Sequence, residues 1–228
     1  MSGEGCPERS RPWVLAATIL GSSMAFIDGS VVGVALPAMQ ADLAAPVSEA
    51  QWIVNAYMLL LGALILIGGA AGDKFGRRRI FVIGVLVFTG ASVACGVAPN
   101  ASALIGARAL QGAGAALLVP NSLAIISAAF PEKERGRAIG TWAGASALTT
   151  ALGPVLGGWL TDAWSWRAIF FINVPVAALA LALTLWHMPE SHDREAGPRV
   201  DWIGALLAVA GLGSLTYGLT LASEAAWT

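Results

Sequence analysis

The sequence predicts an all-α integral membrane protein with seven transmembrane helices. Of its 228 residues, 57% are hydrophobic and only 12% are charged, and the mean hydropathy is +0.71. A soluble globular domain has roughly 45–50% apolar and about 25% charged residues, so a soluble or disordered protein is excluded. The net charge of −1, with basic residues confined to short clusters, gives no indication of a nucleic-acid partner. At roughly 20 apolar residues per span, the length allows about seven spans.

Each of the seven apolar runs predicts one helix. They occupy residues 13–38, 51–72, 80–98, 102–129, 137–160, 167–187 and 202–222. We group residues 13–187 as a six-helix transmembrane bundle, because its runs are closely spaced, and predict a seventh transmembrane helix at 202–222. Residues 188–201 are rich in proline and charged side chains, which predicts a linker between them. Residues 1–12 and 223–228 are predicted to be the tails.

The basic residues predict the orientation of the spans. Eleven of the 13 Lys and Arg residues precede the first run or lie in the connectors after the second, fourth and sixth runs, all on one side if the runs alternate. By the positive-inside rule that side is cytoplasmic. The N-terminus is therefore expected in the cytoplasm and residues 223–228 outside. Arg outnumbers Lys by 11 to 2, and with the abundant Ala and Gly this is typical of a GC-rich bacterial genome, so the expected membrane is the bacterial inner membrane.

Two ionisable residues lie deep within predicted spans, Asp28 in the first and Arg108 in the fourth. A charge at the bilayer centre costs roughly 2.5–3.5 kcal/mol on insertion scales, so each is a candidate functional residue. In a purely structural role Asp28 would bond to nearby backbone, and Arg108 would snorkel to the interface. Gln111 can share one helix face with Arg108. A fixed cation there could bind an anionic group or respond, through a neighbouring carboxyl, to the arrival of a proton, and both uses fit the sequence.

Glycine spacing in the fifth run predicts close helix packing. Gly140-x-x-x-Gly144 and Gly153-x-x-x-Gly157 place small residues one turn apart, and Pro154 removes a backbone donor, which can kink the helix. Small-xxx-small spacing also occurs in ordinary membrane helices, so by itself it is a weak indication of function.

The connector from Gly69 to Arg79 combines glycines with alternating charges. A loop this short needs glycine for its turn, and Asp73 and the arginines can exchange ion pairs with a neighbouring element. Arg77–Arg79 also suit topology anchoring and binding of anionic lipid headgroups. Those roles do not require Asp73 or its flanking glycines.

At these residues the sequence resembles the major facilitator superfamily, and within it the drug:proton antiporters with fourteen spans. The connector is similar to the superfamily's cytoplasmic signature after the second span, although Ala71 and Gly72 replace the usual Leu and Ala. The positions in register are Gly69, Asp73, Gly76, Arg77 and Arg78. The charged elements of the signature are therefore intact.

Four further stretches carry the resemblance. The segment Ile27–Pro37 resembles the first-span motif, with Gly33 where Asn is common, and Arg108-x-x-Gln111-Gly112 resembles the fourth-span motif associated with proton coupling. The fifth run is similar to the antiporter motif at Gly140, Gly144, Gly153, Pro154, Gly157 and Gly158, with Thr149 in place of an expected glycine. The sixth-span opening matches at Trp166, Arg167, Phe170, Asn173 and Pro175, and Asp201-Trp202-Ile-Gly204 resembles the start of the following span.

The resemblance implies the N-terminal six-helix bundle of the major facilitator fold plus a seventh helix. It implies a secondary transporter that exports drugs, antibiotics or other small amphipathic molecules in exchange for protons, with no cofactor because the proton gradient drives it. The implied partners are the lipid bilayer, protons, the export substrate and a C-terminal bundle of the same transporter. The substrate cavity would lie between the two bundles near the midplane.

The resemblance also implies roles for the candidate residues. Asp28, Arg108 and Gln111 would face the cavity and couple to protons. Asp73 and Arg77 would form a cytoplasmic latch with a partner from the second bundle, and the Gly/Pro helix would let the bundle pivot.

Two other classes of function are compatible with a polytopic membrane protein. A truncated membrane protein without transport would act only as a structural or assembly partner, and it differs from the transporter in lacking a second bundle. An intramembrane enzyme has little support, because no Gly-x-Ser-x-Gly, His-Glu-x-x-His or paired intramembrane carboxylates occur, and no Cys/His spacing resembles a metal site. His187 and His192 fit a solvated surface, so we predict that the protein is not an enzyme.

Overall fold

The computed structural model describes residues 7–191 and 202–225. Within those ranges the chain is helical and contains no strand, which confirms the all-α class. A 3₁₀ turn at Glu8–Ser10 precedes eight α-helices. They are α1 (Arg11–Leu43), α2 (Val47–Phe75), α3 (Arg77–Gly96), α4 (Ala101–Ala129), α5 (Glu132–Ala163), α6 (Ala168–Phe171), α7 (Asn173–His187) and α8 (Trp202–Ala225).

Helices lie at all seven predicted apolar runs, and the sixth run is divided between α6 and α7. Among the described residues, five segments are long and apolar enough to cross a membrane: Glu8–Leu43, Val47–Phe75, Arg77–Gly96, Ala101–Ala129 and Ala168–His187. α5 is not among them although it has 32 residues, because Gly, Ser and Thr fill much of its interior. In α8 the apolar stretch is shorter, Leu206–Gly218. Most of the predicted linker, residues 192–201, lies outside the described ranges.

A single residue, Gly76, connects α2 to α3. Its φ of +106° lies in a region that side chains with a Cβ rarely adopt, so glycine makes this reversal possible. We call the end of the bundle that holds this turn and the start of α1 the basic end. At the opposite end, Asn100 begins α4 by accepting a hydrogen bond from the backbone N–H of Ala103 at 2.8 Å.

The helices pack around α4, which lies between α2 and α3 and also contacts α1. α1 packs along α5 on one side and α7 on the other. The approach of α2 to α4 depends on glycine, because a Cβ at Gly68 would overlap the carbonyl of Ala116 and one at Gly112 would overlap the carbonyl of Tyr57. Two helix backbones can come into contact only where the residues at the crossing are small.

The buried apolar side chains form two clusters along the bundle. The cluster toward the basic end includes Phe81, Phe88 and Leu118, and the cluster toward the opposite end includes Leu104 and Ile169. In α1, α3, α4 and the α6–α7 pair, a buried polar residue falls between the members of the two clusters. These residues form one polar layer, which is described next.

Candidate functional site: a buried charge cluster in the polar layer

A buried ion pair joins α1 to α4 in this layer. Asp28 and Arg108 are each 1% exposed, and Gln111 is fully buried. Nη1 of Arg108 contacts Oδ2 of Asp28 and donates to Oε1 of Gln111 at 2.7 Å. Nε2 of Gln111 in turn donates to Oδ1 of Asp28 at 2.8 Å. The three side chains therefore close a ring in which each is bonded to the other two.

α2 completes the surroundings of the arginine. Nε of Arg108 donates to the carbonyl of Ile53 at 3.1 Å, and its guanidinium carbon lies 4.3 Å from the centre of the Tyr57 ring. The phenol of Tyr57 donates to the carbonyl of Ala25 in α1 at 2.9 Å, which holds the ring in place. A cation over an aromatic face is attracted by the ring quadrupole, more strongly where both are desolvated.

The ring of side chains extends into α3, α6 and α7. Nε2 of Gln111 also donates to Oγ of Ser92 at 3.3 Å, and Oγ of Ser92 donates to the carbonyl of Phe170 at 2.9 Å. Nδ2 of Asn173 donates to the same Oγ at 2.9 Å, and Sγ of Cys95 lies 3.5 Å from Oε1 of Gln111. Sequence analysis missed Ser92, because one serine in an apolar helix carries no distinguishing signal. It found Phe170 and Asn173 only through the family resemblance.

The positions of these side chains differ from the two purely structural roles considered above. Arg108 is buried and does not snorkel to the interface, and Asp28 bonds to side chains of another helix rather than to nearby backbone. Removing one partner of such a pair leaves an uncompensated buried charge, at a cost of about 3–5 kcal/mol. Both carboxylate oxygens of Asp28 face hydrogen-bond donors, which suits the ionised acid.

An apolar cavity of about 330 Å³ opens beside the cluster. It is lined by Ala25, Phe26, Gly29, Ser30, Tyr57, Met58, Leu61, Val119 and Thr150, none of which is charged. Asp28, Arg108 and Gln111 are not in this lining. The structure thus places them inside the bundle rather than on an open cavity face, and Tyr57 forms the wall between the two.

The candidate latch residues lie around the α2–α3 turn. Asp73 accepts from Nε and Nη2 of Arg77, one helical turn away across Gly76, at 2.9 and 2.7 Å. Sequence analysis missed Glu190, whose carboxylate accepts from the backbone N–H groups of Arg78 and Arg79 at 3.0 and 3.2 Å. It therefore caps the N-terminus of α3, where a negative charge is favourable. Gly69 lies on α2 facing Pro120.

The glycines of the fifth-span motif divide into two groups. A Cβ at Gly153 would overlap Ser30, and one at Gly157 would come 2.5 Å from Val31, so these two residues carry the α1–α5 contact. Gly140 and Gly144 have nothing within 4 Å of a built Cβ, so the predicted close packing is absent there in the described chain. Gly158 is near Val34, at 3.9 Å, and Pro154 lies within a helix that continues through it.

The sixth-span motif is bonded to the end of α1 at the end of the bundle opposite the basic end. Asp42, at the end of α1, accepts from Nε1 of Trp166 at 3.1 Å and from Nη1 of Arg167 at 2.5 Å. Nη2 of Arg167 donates to the carbonyl of Ala98, and its guanidinium lies over the Trp166 ring. Pro175, in the first turn of α7, has no N–H to donate to the preceding turn.

The described residues hold no group of three or more His, Cys, Asp or Glu side chains that could bind a metal ion. His187 stacks on Trp13 with ring centres 5.3 Å apart, and His192 lies outside the described ranges.

These features define a polytopic helical membrane protein with a buried ion pair beside an apolar cavity. The Major Facilitator Superfamily model matches residues 18–226, and the chain belongs to this family.

Several curated relatives are resistance and export proteins. The multidrug resistance protein Stp of Mycobacterium tuberculosis is 43% identical over 221 residues, 96% of this chain and 41% of the relative. The puromycin resistance protein of Streptomyces alboniger is 40% identical over 97% of this chain and 44% of its own length. The tetracenomycin C resistance and export protein of Streptomyces glaucescens is 37% identical over 96% and 41%. The chain thus spans about two fifths of the length of these relatives.

Solved transporter structures share the fold. A peptide transporter of the POT family in complex with sulfate superposes with a TM-score of 0.69 at 17% identity, covering 94% of this chain and 46% of that one. A bacterial homologue of the human lysosomal transporter Spinster, inward-facing and occupied, gives 0.69 at 21% identity, covering 82% and 47%. The predictions of the family and of the fold class are therefore confirmed.

Proposed function

We propose that this chain is part of a secondary transporter that exports drugs or other small amphipathic molecules in exchange for protons. The observation that carries the proposal is the buried Asp28–Arg108 ion pair, which α1 and α4 bring together within a protein otherwise built to bury apolar surface. Ionisable groups inside the membrane are costly, and they mark proton and ion pathways in transporters. The names of the relatives supply the substrate class.

The proton in this proposal is taken up by Asp28. In the ionised state the carboxylate balances the charge of Arg108, and no net charge is buried. Once Asp28 is neutral, Arg108 keeps its charge without a counterion. A group bound in the neighbouring cavity then encounters a different electric field, because the Tyr57 ring that lines the cavity also lies against the guanidinium. Substrate is exchanged for a proton if ionised Asp28 favours a cavity open to one side of the membrane and neutral Asp28 favours a cavity open to the other side.

The cavity supports export of apolar or amphipathic molecules. Phe26, Tyr57 and Met58 present aromatic and polarizable surface, which adapts to ligands of varied shape. Ser30 and Thr150 add hydroxyl oxygens at its edge. A second bundle, supplied by a longer chain or by a separate one, would close the cavity from the other side.

The proposal places the basic end in the bacterial cytoplasm, because nine Lys and Arg residues of the described chain lie at that end. Two contacts then lie on the cytoplasmic side, the Asp73–Arg77 ion pair and the Glu190 carboxylate that joins the end of the sixth span to the start of α3.

The test is proton-driven uptake of ethidium into inside-out vesicles from cells that express the complete reading frame. Arg108→Ala and Asp28→Asn should each lower the initial rate at least about tenfold, the effect expected where a buried charge loses its partner. Arg135→Ala, an exposed arginine at the start of α5, is the matched control. Uptake by Arg108→Ala at the parent rate, with equal protein in the membrane, would refute the role of the ion pair.

A further inference from the structure

Trp142 joins α5 to α1 inside the bundle, next to the apolar cavity. Its Nε1 donates to Oγ of Ser22 at 3.1 Å, and its indole meets the ring of Phe26 edge-on, with ring centres 6.2 Å apart. Phe26 lines the cavity, whereas Trp142 does not. The indole therefore stands directly behind one wall of the cavity.

Two buried serines hold the indole in this position. Oγ of Ser22 donates to Oγ of Ser122 in α4 at 2.8 Å, and Oγ of Ser122 donates to the carbonyl of Leu118 at 2.9 Å. Both serines are fully buried, and each hydroxyl has a single proton. Since the proton of Ser22 goes to α4, its oxygen offers α5 only lone pairs. The indole N–H of Trp142, which can only donate, is the matching group.

A second space, closer to the basic end, is also lined by α1 and α5. It has a volume of about 420 Å³, and we call it the inner groove. Its lining combines apolar surface with polar side chains that are exposed to solvent. The apolar residues are Leu15, Phe130 and Ala138, and the exposed polar residues are Glu134, Arg137 and Thr141. The inner groove can therefore accept an apolar chain whose far end reaches water.

Trp142 lies between the inner groove and the apolar cavity. Leu15, which lines the groove, and Phe26, which lines the cavity, are about three turns apart on one face of α1. Ser22 falls between them on that same face, and it is the residue that binds the indole. On α5, Trp142 follows the groove residue Ala138 by one turn. Both helices thus place the Trp142–Ser22 contact at the level where one space ends and the other begins.

We propose that Trp142 is a specificity-determining residue that ends the substrate site toward the basic end and limits the length of the molecules it accepts. The inference rests on the proposed function in one respect, that export substrates bind in the apolar cavity. Without the indole, the cavity and the inner groove form one longer site. An apolar chain that starts in the cavity then continues along α1 to Leu15.

The experiment compares three alkyltriphenylphosphonium ions, with methyl, butyl and decyl chains, which differ only in apolar length. Their binding to the complete protein in nanodiscs is measured by equilibrium dialysis against empty nanodiscs. In Trp142→Ala the decyl ion should bind at least about tenfold more tightly than in the parent, because each further CH₂ group that is buried contributes roughly fourfold. The methyl ion, which fits within the cavity, should bind equally to both proteins.

Two further variants test the position and the hydrogen bond of the indole. Trp159→Ala removes another tryptophan of α5, which is exposed and contacts Trp164, and it should bind all three ions as the parent does. Ser22→Ala leaves the indole N–H of Trp142 without its acceptor and should show part of the gain for the decyl ion.

The ratio of decyl to methyl affinity distinguishes a limit on length from a structural role. If Trp142→Ala changes all three affinities by the same factor, or leaves them at the parent values, the inference is overturned. Should Trp142→Ala fail to fold, Trp142→Phe keeps a smaller ring and loses the N–H. It is expected to raise the ratio at least about threefold, less than the gain from one fully buried CH₂ group, and an unchanged ratio overturns the inference.

The parent protein separates this inference from the proposed function. If the parent binds none of the three ions, the proposed substrate site fails, and the inference fails with it. If the parent binds the methyl ion but Trp142→Ala shows no added preference for the decyl ion, the substrate site stands and the role of Trp142 alone is overturned.

Discussion

Replacing Asp28 with asparagine leaves Arg108 charged and without a counterion inside the bundle. Asparagine still offers one oxygen, but it places an N–H where Asp28 accepts from Gln111, so one contact of the ring is lost together with the ion pair. The expected destabilisation is about 3–5 kcal/mol, the cost of breaking a buried pair from one side. At roughly 2–4 °C per kcal/mol for a chain of this size, the midpoint of thermal unfolding should fall by about 6–20 °C.

The assay is thermal unfolding in detergent micelles, followed by tryptophan fluorescence, with a double variant as the control. Asp28→Asn combined with Arg108→Gln removes both charges, so no uncompensated charge remains buried. The double variant should therefore recover at least half of the decrease in unfolding temperature that Asp28→Asn causes. The pair is then a functional rather than a stabilising device. An unchanged midpoint in Asp28→Asn would refute the reasoning, because it would mean that the ion pair is absent or solvated.

Three further predictions address the glycine contact, the α3 cap and the topology. Gly153→Ile should abolish stable folding, since even a Cβ at this position overlaps α1, whereas Gly140→Ile should fold normally. The measurement is the yield of monodisperse protein, and equal yields of the two variants would contradict the α1–α5 packing. Glu190→Gln should destabilise the start of α3 by about 0.3–1 kcal/mol, through loss of a negative charge at a helix N-terminus, measured as faster hydrogen exchange there; unchanged exchange would show that the carboxylate is not the cap. Cysteines introduced at Ala45 and Asp193, in a background without other cysteines, should be labelled by an impermeant maleimide from opposite sides of the membrane, and labelling of both from one side would overturn the orientation.

Hydropathy locates helices well because a span must satisfy its backbone internally, which leaves a long apolar run in the sequence. The ends of the helices differ from those of the predicted runs by at most five residues. Hydropathy does not show the division of the sixth run into α6 and α7, which falls where Pro175 has no backbone N–H to donate to the preceding turn.

The candidate site is predictable only in part. Asp28 and Arg108 stand out because charge is rare in apolar runs, but their pairing depends on the relative height and rotation of α1 and α4. Ser92 gives no signal, because a serine can bond to its own helix and remain at low cost in any apolar segment. Spacing likewise cannot tell which glycines lie at a helix crossing, so Gly140 and Gly153 look equivalent until the faces of α5 are known.

The polar layer between the two apolar clusters has a consequence for how the bundle assembles. Apolar helix faces have similar free energies against lipid tails and against each other. Apolar contacts therefore select weakly among the possible rotations of a newly inserted helix. The hydrogen bonds among the polar-layer side chains can be satisfied together in only one mutual rotation of their helices; these side chains are Asp28, Ser92, Arg108, Gln111 and Asn173. The polar side chains of this layer therefore also fix the relative rotation of the helices. When they are replaced, we expect the helices to insert normally but to pack in wrong rotations.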